Sequence, residues 1–321
     1  MRPRTGDKVP VRVVMTVIAA SLILAGVTGC NGNSNTQLRD TLSDIVVTDD
    51  TGTTYNFEEP VATIVSLAPS NTEIVFFVEA GDKLIGRTDY CNYPAEVSSI
   101  ESVGDFSDPN KEKIVLLDPD VVLATDIQVS SGDVAWLEEQ GLRVVVLYPG
   151  DVYGILDNIM LVGQLTGNED IASEKIAGLE ARINYVTYRT ATITEGEKPR
   201  VLHVTWHVPL WTVGSDNFLN TVIEMAGGTN IFTDVSGDVQ VDIEQAVTRN
   251  PQVITVVTGH GDAMSSSYDY VVAEDSPYNE TDAYKNGRIF LIDADIASRQ
   301  SPRVVEALEL FAEFFYPEIF S

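Results

Sequence analysis

The chain carries two cysteines, three histidines and only 20 lysines and arginines against 48 aspartates and glutamates, a formal net charge of −28. Each shortage excludes something. So acidic a chain is repelled by phosphate backbones, which removes nucleic acid as a partner; its surface favours solubility and a basic partner. With only Cys30 and Cys91 available, the fold rests on burying its 44% apolar residues. The histidines do not assemble a metal centre. His203 and His207 could share one side of the strand-like run "LHVTWHV", with no clear third ligand beside them, where zinc usually takes three or four protein ligands. There is no Gly-x-Ser-x-Gly elbow, no P-loop and no His-Glu-x-x-His. "GGTN" after Met225 reads as a helix C-cap and turn rather than a phosphate loop. No catalytic residue, metal site or resident cofactor is expected.

What is present begins with a leader. Arg2, Arg4, Lys8 and Arg12 precede "VVMTVIAASLILAGV" (Val13–Val27), a charge-free run that ends in "VTGC" at Cys30. A basic start, an apolar stretch shorter than the roughly 20 residues of a bilayer span, and small residues at the cut make a secretory signal. "VTGC" resembles a lipobox. Residues 1–29 are then a lipoprotein signal peptide, Cys30 the lipidated first residue, and 30–44 a polar tether. That places the protein outside the cell, anchored by lipid to the outer face of the cytoplasmic membrane, and leaves Cys91 unpaired.

The remaining length suits two domains. "IVVTDDTGTTYNFEEP" (Ile45–Pro60) reads as a hairpin. From Ala62 onward apolar strands alternate with helices, the pattern of a parallel α/β sheet. Ser70 and Glu73 have capping-box spacing. Asp108-Pro109 and Ser301-Pro302 read as helix N-caps followed by a first-turn proline. Between Glu169 and about Ile193 the apolar residues Ile171, Ile176, Leu179, Ile183 and Val186 fall mostly at three- to four-residue steps, one stripe of a long helix. The expected architecture is α/β: a lobe over 45–168, a linking backbone helix over 169–195 and a second lobe over 196–321. Each lobe has a parallel central sheet, and a ligand cleft lies between them. One small device appears in both lobes. "EKIVLLDPDVV" from Glu112 and "EQAVTRNPQVI" from Glu244 each place an Asp-Pro or Asn-Pro six residues after the glutamate, before an apolar run.

Aromatics gather at the expected strand ends: Tyr90 and Tyr93 in "TDYCNYP", Phe106 in "GDFSDP", Trp206 and Trp211 in "TWHVPLWTVG". Open α/β sheets bind ligands outside the carboxyl ends of their strands. Two such edges facing each other form an aromatic cleft suited to a large flat ligand.

The blocks "SLAPSNTEI", "TDYCNYP", "DFSDPNKEKIVLLDPDVVLAT", "LWTVGSDNFLNTVIEMAGGTNIF" and "SPRVVEALELFAEFF" together resemble the helical-backbone substrate-binding proteins of ABC importers, the group that takes up cobalamin, haem and ferric siderophores. The "APSNTE" and "DYCNYP" blocks are most similar to its cobalamin-binding members. The resemblance implies a non-enzymatic receptor for a metal-chelate small molecule, working with a permease dimer and its ATPase subunits. It matches Glu112 and Glu244 to two glutamates that dock into the two permease copies. It matches Tyr90, Phe106, Trp211, Asp295 and Arg299 to ligand-cleft positions. One tryptophan of the cobalamin binders has no counterpart in "SGDVQVD", where Asp238 falls. For haem, Tyr90 or His207 could supply an axial ligand; for an anionic siderophore, few arginines besides Arg87 and Arg299 are on offer. Corrinoid, haem and siderophore therefore stay open as ligands. An extracytoplasmic α/β hydrolase is the alternative of a different class, and it lacks a nucleophile elbow.

Overall fold

The computed structural model describes residues 44–260 and 265–320. The expected signal peptide, Cys30 and nearly all of the expected tether lie outside the described residues. No helix among the described residues is long and apolar enough to cross a membrane.

The first lobe opens with an antiparallel hairpin, β1 (Ile45–Thr48) and β2 (Thr54–Phe57), in which Ile45 pairs with Phe57. Asp49 closes its turn by accepting from Thr51 N at 2.9 Å and Thr53 N at 3.0 Å. The other oxygen of Asp49 accepts from Val146 N at 3.1 Å, which ties the hairpin to the main sheet. That sheet contains β3 (Ile64–Ser66), β4 (Leu84–Arg87), β5 (Val121–Ala124) and β6 (Val144–Val146), all parallel, in the order β4-β3-β5-β6. Every residue of β3, β5 and β6 is buried. This is why they read as unbroken apolar runs: helices cover both faces of a parallel sheet. The helices of this lobe are α1 (Pro69–Phe77), α2 (Lys111–Leu117), α3 (Asp126–Ser131), α4 (Asp133–Glu139) and α5 (Val152–Thr166).

The linking helix is α6 (Glu169–Thr190). It closes slightly before the expected end, where Thr190 Oγ1 donates to Met225 O at 3.0 Å. Its buried stripe includes Leu179, Ile183 and Val186. The turn from α5 into α6 requires glycine twice. Gly167 sits at φ +78°, and a Cβ at Gly163 would fall 2.5 Å from Ala172 Cβ.

The second lobe repeats the plan. Its strands are β7 (Arg200–Val204), β8 (Leu210–Val213), β9 (Thr229–Asn230), β10 (Asp238–Val241), β11 (Val253–Val257) and β12 (Ile289–Ile292). The parallel sheet runs β12-β11-β7-β9, while β8 and β10 form an antiparallel ribbon. Counting only parallel strands, both lobes have the same order: second, first, third, fourth. Helices α7 (Phe218–Met225), α8 (Ile243–Thr248), α9 (Ser266–Val272), α10 (Asp282–Lys285), α11 (Ala294–Ala297), α12 (Val304–Phe315) and α13 (Pro317–Phe320) complete it. One apolar cluster runs through both lobes, joining Val75 and Ile159 to Leu179, Ile183, Leu308 and Phe311.

The repeated device occupies equivalent places. Helix α2 feeds β5 and α8 feeds β11, each the third parallel strand of its lobe. Asp118 and Asn250 both adopt φ +47°, ahead of the buried prolines Pro119 and Pro251. Aspartate and asparagine tolerate this left-handed conformation better than other side chains. Glu112 and Glu244 are each the second residue of their helix, and both are exposed.

Three expected caps are not formed. Ala68, not Ser70, precedes α1, and Glu73 is buried in tertiary contacts. Asn110, not Asp108, caps α2 by accepting from Lys113 N at 2.9 Å. Ser301 lies three residues before α12 and turns its hydroxyl to Glu73. In each case a motif that fits locally yields to a partner or a turn that sequence spacing does not reveal.

Candidate functional site

A cavity of about 720 Å³ opens between the lobes. Its wall is assembled from the segments that follow the carboxyl ends of strands. The first lobe contributes Ala68–Ser70 after β3, Tyr90 after β4, Thr125–Ile127 after β5 and Tyr148–Gly150 after β6, together with Phe106. The second contributes Asp216–Phe218 after β8, His260 after β11 and Ser298–Gln300 after β12, with Gly237 and Asp238 at the start of β10. The rings of Tyr90, Phe106, Tyr148 and Phe218 give the wall its aromatic character.

The loops are locally well held. Thr125 caps α3 with a capping box, in which Gln128 Oε1 accepts from Thr125 N at 2.9 Å. The amide of that glutamine donates to Phe106 O at 2.6 Å, fixing the Phe106 loop against α3. Asn217 caps α7 by accepting from Leu219 N at 2.9 Å, and Phe218 is the first residue of that helix.

Beneath the wall lies a polar floor that joins the lobes. Glu73, on α1, accepts from Arg299 Nη1 at 2.9 Å and Arg303 Nη2 at 2.6 Å through Oε1, and from Ser301 Oγ at 2.7 Å and Arg303 Nε at 2.8 Å through Oε2. Asp295, on α11, pairs with Arg299 Nη2 and His260 Nδ1, each at 2.7 Å, and accepts from Asn92 Nδ2 at 2.7 Å. Asn92 Oδ1 in turn accepts from Arg299 Nη1 at 2.8 Å. Burial alone would push the Asp295 carboxyl up. Hydrogen bonds from His260 and Asn92 and the charge of Arg299 outweigh it and hold the group at about 2. Two carboxylates and two guanidiniums thus balance inside a largely dry network, which is what makes buried ions tolerable.

The structure brings some expected site residues together and separates others. Tyr90, Phe106 and Arg299 line the cavity. Asp295 lies directly behind Arg299 and reaches the wall through His260. Trp211 and His207 are not on the wall. Trp211 pairs with Gln240 across the β8–β10 ribbon, on the outward face of a strand whose other residues are buried. His207 bonds Ser267 Oγ at 2.9 Å and is sandwiched between Trp206 and Tyr270, with ring centroids 4.9 and 5.0 Å away. The strand-end rule put these two in the right neighbourhood without telling which face each would take. His203 is a core residue: its Nδ1 bonds Thr255 Oγ1 at 2.8 Å, and burial lowers its pKa to about 4. The sequence reading missed Glu73, Asn92, His260, Tyr148 and Phe218. For Glu73 a signal existed: one carboxylate in the otherwise apolar "EIVFFV", with two arginines waiting in "SRQSPR". Among the described residues no cluster of three or more metal-ligating side chains occurs.

Two α/β lobes joined by one long helix, with an aromatic cleft between them, form a concave site able to hold a small molecule. The profile of the periplasmic binding protein family matches residues 64–296, and the chain belongs to that family. It is 29% identical over 314 residues to an uncharacterized ABC transporter substrate-binding lipoprotein of Bacillus subtilis, covering 94% of this chain and 98% of that protein. It is 30% identical over 258 residues to a vitamin B12-binding protein of Vibrio parahaemolyticus, covering 80% of this chain and 90% of that one. The solved periplasmic vitamin B12-binding protein BtuF of Vibrio cholerae superposes with a TM-score of 0.70 at 25% identity, over 80% of this chain and 98% of that chain. The protein is therefore a substrate-binding protein of an ABC transporter, not an enzyme, and proteins of this kind work with a permease and its ATPase.

Proposed function

We propose that the protein captures a corrinoid in the cleft between its lobes and delivers it to the permease of an ABC importer, held to the membrane by lipid on Cys30. The observation that carries this reading is the cleft. At about 720 Å³ it is roomy, and Tyr90, Phe106, Tyr148 and Phe218 furnish its wall with rings, as a broad, rigid, partly apolar macrocycle requires. Relatives named as vitamin B12-binding proteins match over most of the chain. Delivery uses Glu112 and Glu244, exposed at equivalent positions in the two lobes, as contacts for two basic pockets on a permease dimer. Arg299 and Asp295 form the polar floor under the ligand rather than free ligand groups, because their charges are already engaged.

The test is an equilibrium titration followed by tryptophan fluorescence, with cyanocobalamin, haemin and a panel of ferric siderophores. Tightest binding of the corrinoid supports the reading. Preference for haemin or a siderophore replaces it with the corresponding receptor.

A further inference from the structure

The charges that face the cleft are unequally committed. Among the described residues Arg299 is the one guanidinium on the wall, and it is bound by Glu73 and Asp295. The wall also carries Asp126 from the first lobe and Asp216 and Asp238 from the second. None of these three has a cationic partner within 4.0 Å among the described residues. Their recorded partners are neutral: Asp216 Oδ1 accepts from Gly237 N, and Asp238 Oδ1 accepts from Asn217 Nδ2 at 3.2 Å. The three line the same cavity, one from the first lobe and two from the second. The Tyr148 hydroxyl, on the same wall, is pushed up first by burial and then by the negative potential of Asp126, Asp238 and Asp216. The carboxylates of Glu73 and Asp295 are balanced by Arg299 and Arg303, so among the described residues the uncompensated carboxylates on the wall are these three.

Resting on the reading of this cleft as the ligand site, we infer that Asp126, Asp216 and Asp238 select the ligand by charge. They accept a chelate whose rim is neutral or cationic and carries amide-type hydrogen-bond donors, and they reject one fringed with carboxylates or catecholates. Ligand entry strips water from these carboxylates. A donor on the ligand rim replaces that water, whereas an anion meets like charge in a cleft from which the bound ligand has displaced solvent. Selectivity of this kind lies as much in the rejected ligand as in the accepted one.

The experiment compares ligands that share a scaffold and differ in rim charge. The full chain is titrated with cyanocobalamin and with its tricarboxylic acid, in which three side-chain amides are hydrolysed, and separately with haemin and haemin dimethyl ester. Each titration is repeated on the triple variant Asp126→Asn, Asp216→Asn, Asp238→Asn, with its thermal midpoint measured as a folding control. The uncharged-rim member of each bound pair should bind about tenfold tighter or more to the natural chain, and the gap should close to within about threefold in the variant. Equal binding of both members of a pair, or a gap that survives the triple substitution, overturns the inference while leaving a bound corrinoid as the ligand. If only the haem pair binds and shows the gap, the corrinoid reading falls and selection by charge stands. If none of the four binds, both fall.

Discussion

Arg299 and Glu73 meet across the interface between the lobes, Nη1 to Oε1 at 2.9 Å, with side chains only 7% and 2% exposed. Arg303 reaches the same carboxylate at 2.6 Å. Glu73 therefore neutralises guanidiniums that approach from one side of a buried seam; its removal strands Arg303 and leaves Arg299 with Asp295 alone.

Glu73→Ala should destabilise the protein by about 3–5 kcal/mol, the cost of leaving a buried charge uncompensated. Urea unfolding followed by circular dichroism measures it. A loss under about 1 kcal/mol would mean that water enters the seam and screens the arginines.

Asp295 gives the fold a particular response to acid. Its carboxyl sits at about 2 in the native protein, below the roughly 3.9 of an unfolded chain. A carboxylate whose pKa is depressed by folding contributes stability above the unfolded value and loses it as pH falls through the folded one. Its share, about 2–3 kcal/mol, should vanish between roughly pH 4 and pH 2. In Asp295→Asn the stability difference between pH 7 and pH 2 should shrink by that amount, read from urea midpoints at each pH.

For docking, Glu112→Lys and Glu244→Lys should leave ligand affinity in solution nearly unchanged, since both side chains are exposed and absent from the cavity wall. Removing one partner of a desolvated interfacial charge pair costs about 2–5 kcal/mol, and sign reversal adds repulsion. Complex formation with the reconstituted permease should weaken in each single variant, and uptake should fall further in the double. Full uptake by the double variant would exclude these glutamates as contacts.

The aromatic wall separates residues that looked equivalent in the sequence. Tyr90→Ala and Phe106→Ala should each weaken ligand binding by about 1–2 kcal/mol, roughly 5- to 30-fold. Trp211→Ala, off the wall, should stay within about twofold. Titration of the three variants with the tightest ligand decides it; a larger loss at Trp211 would show that the bound ligand extends beyond the cavity to the β8–β10 ribbon.

The alternation of elements was legible because buried parallel strands are written as apolar runs; "VVLA" and "VITVV" admit no other comfortable place. The Glu112 and Glu244 device was legible because it is local, a short helix stopped at a left-handed Asp or Asn before proline. The floor was not. Glu73 lies in a stretch that satisfies the rules of a capping box, and its true partners stand more than 220 residues away. His260, in "VTGHG", carries no periodic signal, and only the fold brings it to Asp295. The places of Trp211 and His207 off the cavity wall were not legible for another reason: sequence locates the end of a strand, but the face a ring takes depends on what covers the other side.

The floor also bears on mechanics. A seam crossed by Glu73, Arg299, Arg303, Asp295 and Asn92, with α6 spanning the same gap, leaves the two halves little freedom to swing like the leaves of a book. Parting them would tear several charged bonds from a nearly anhydrous setting at once. On the proposed reading, a molecule seated above such a base is released by a pull from outside, applied through the permease contacts at Glu112 and Glu244.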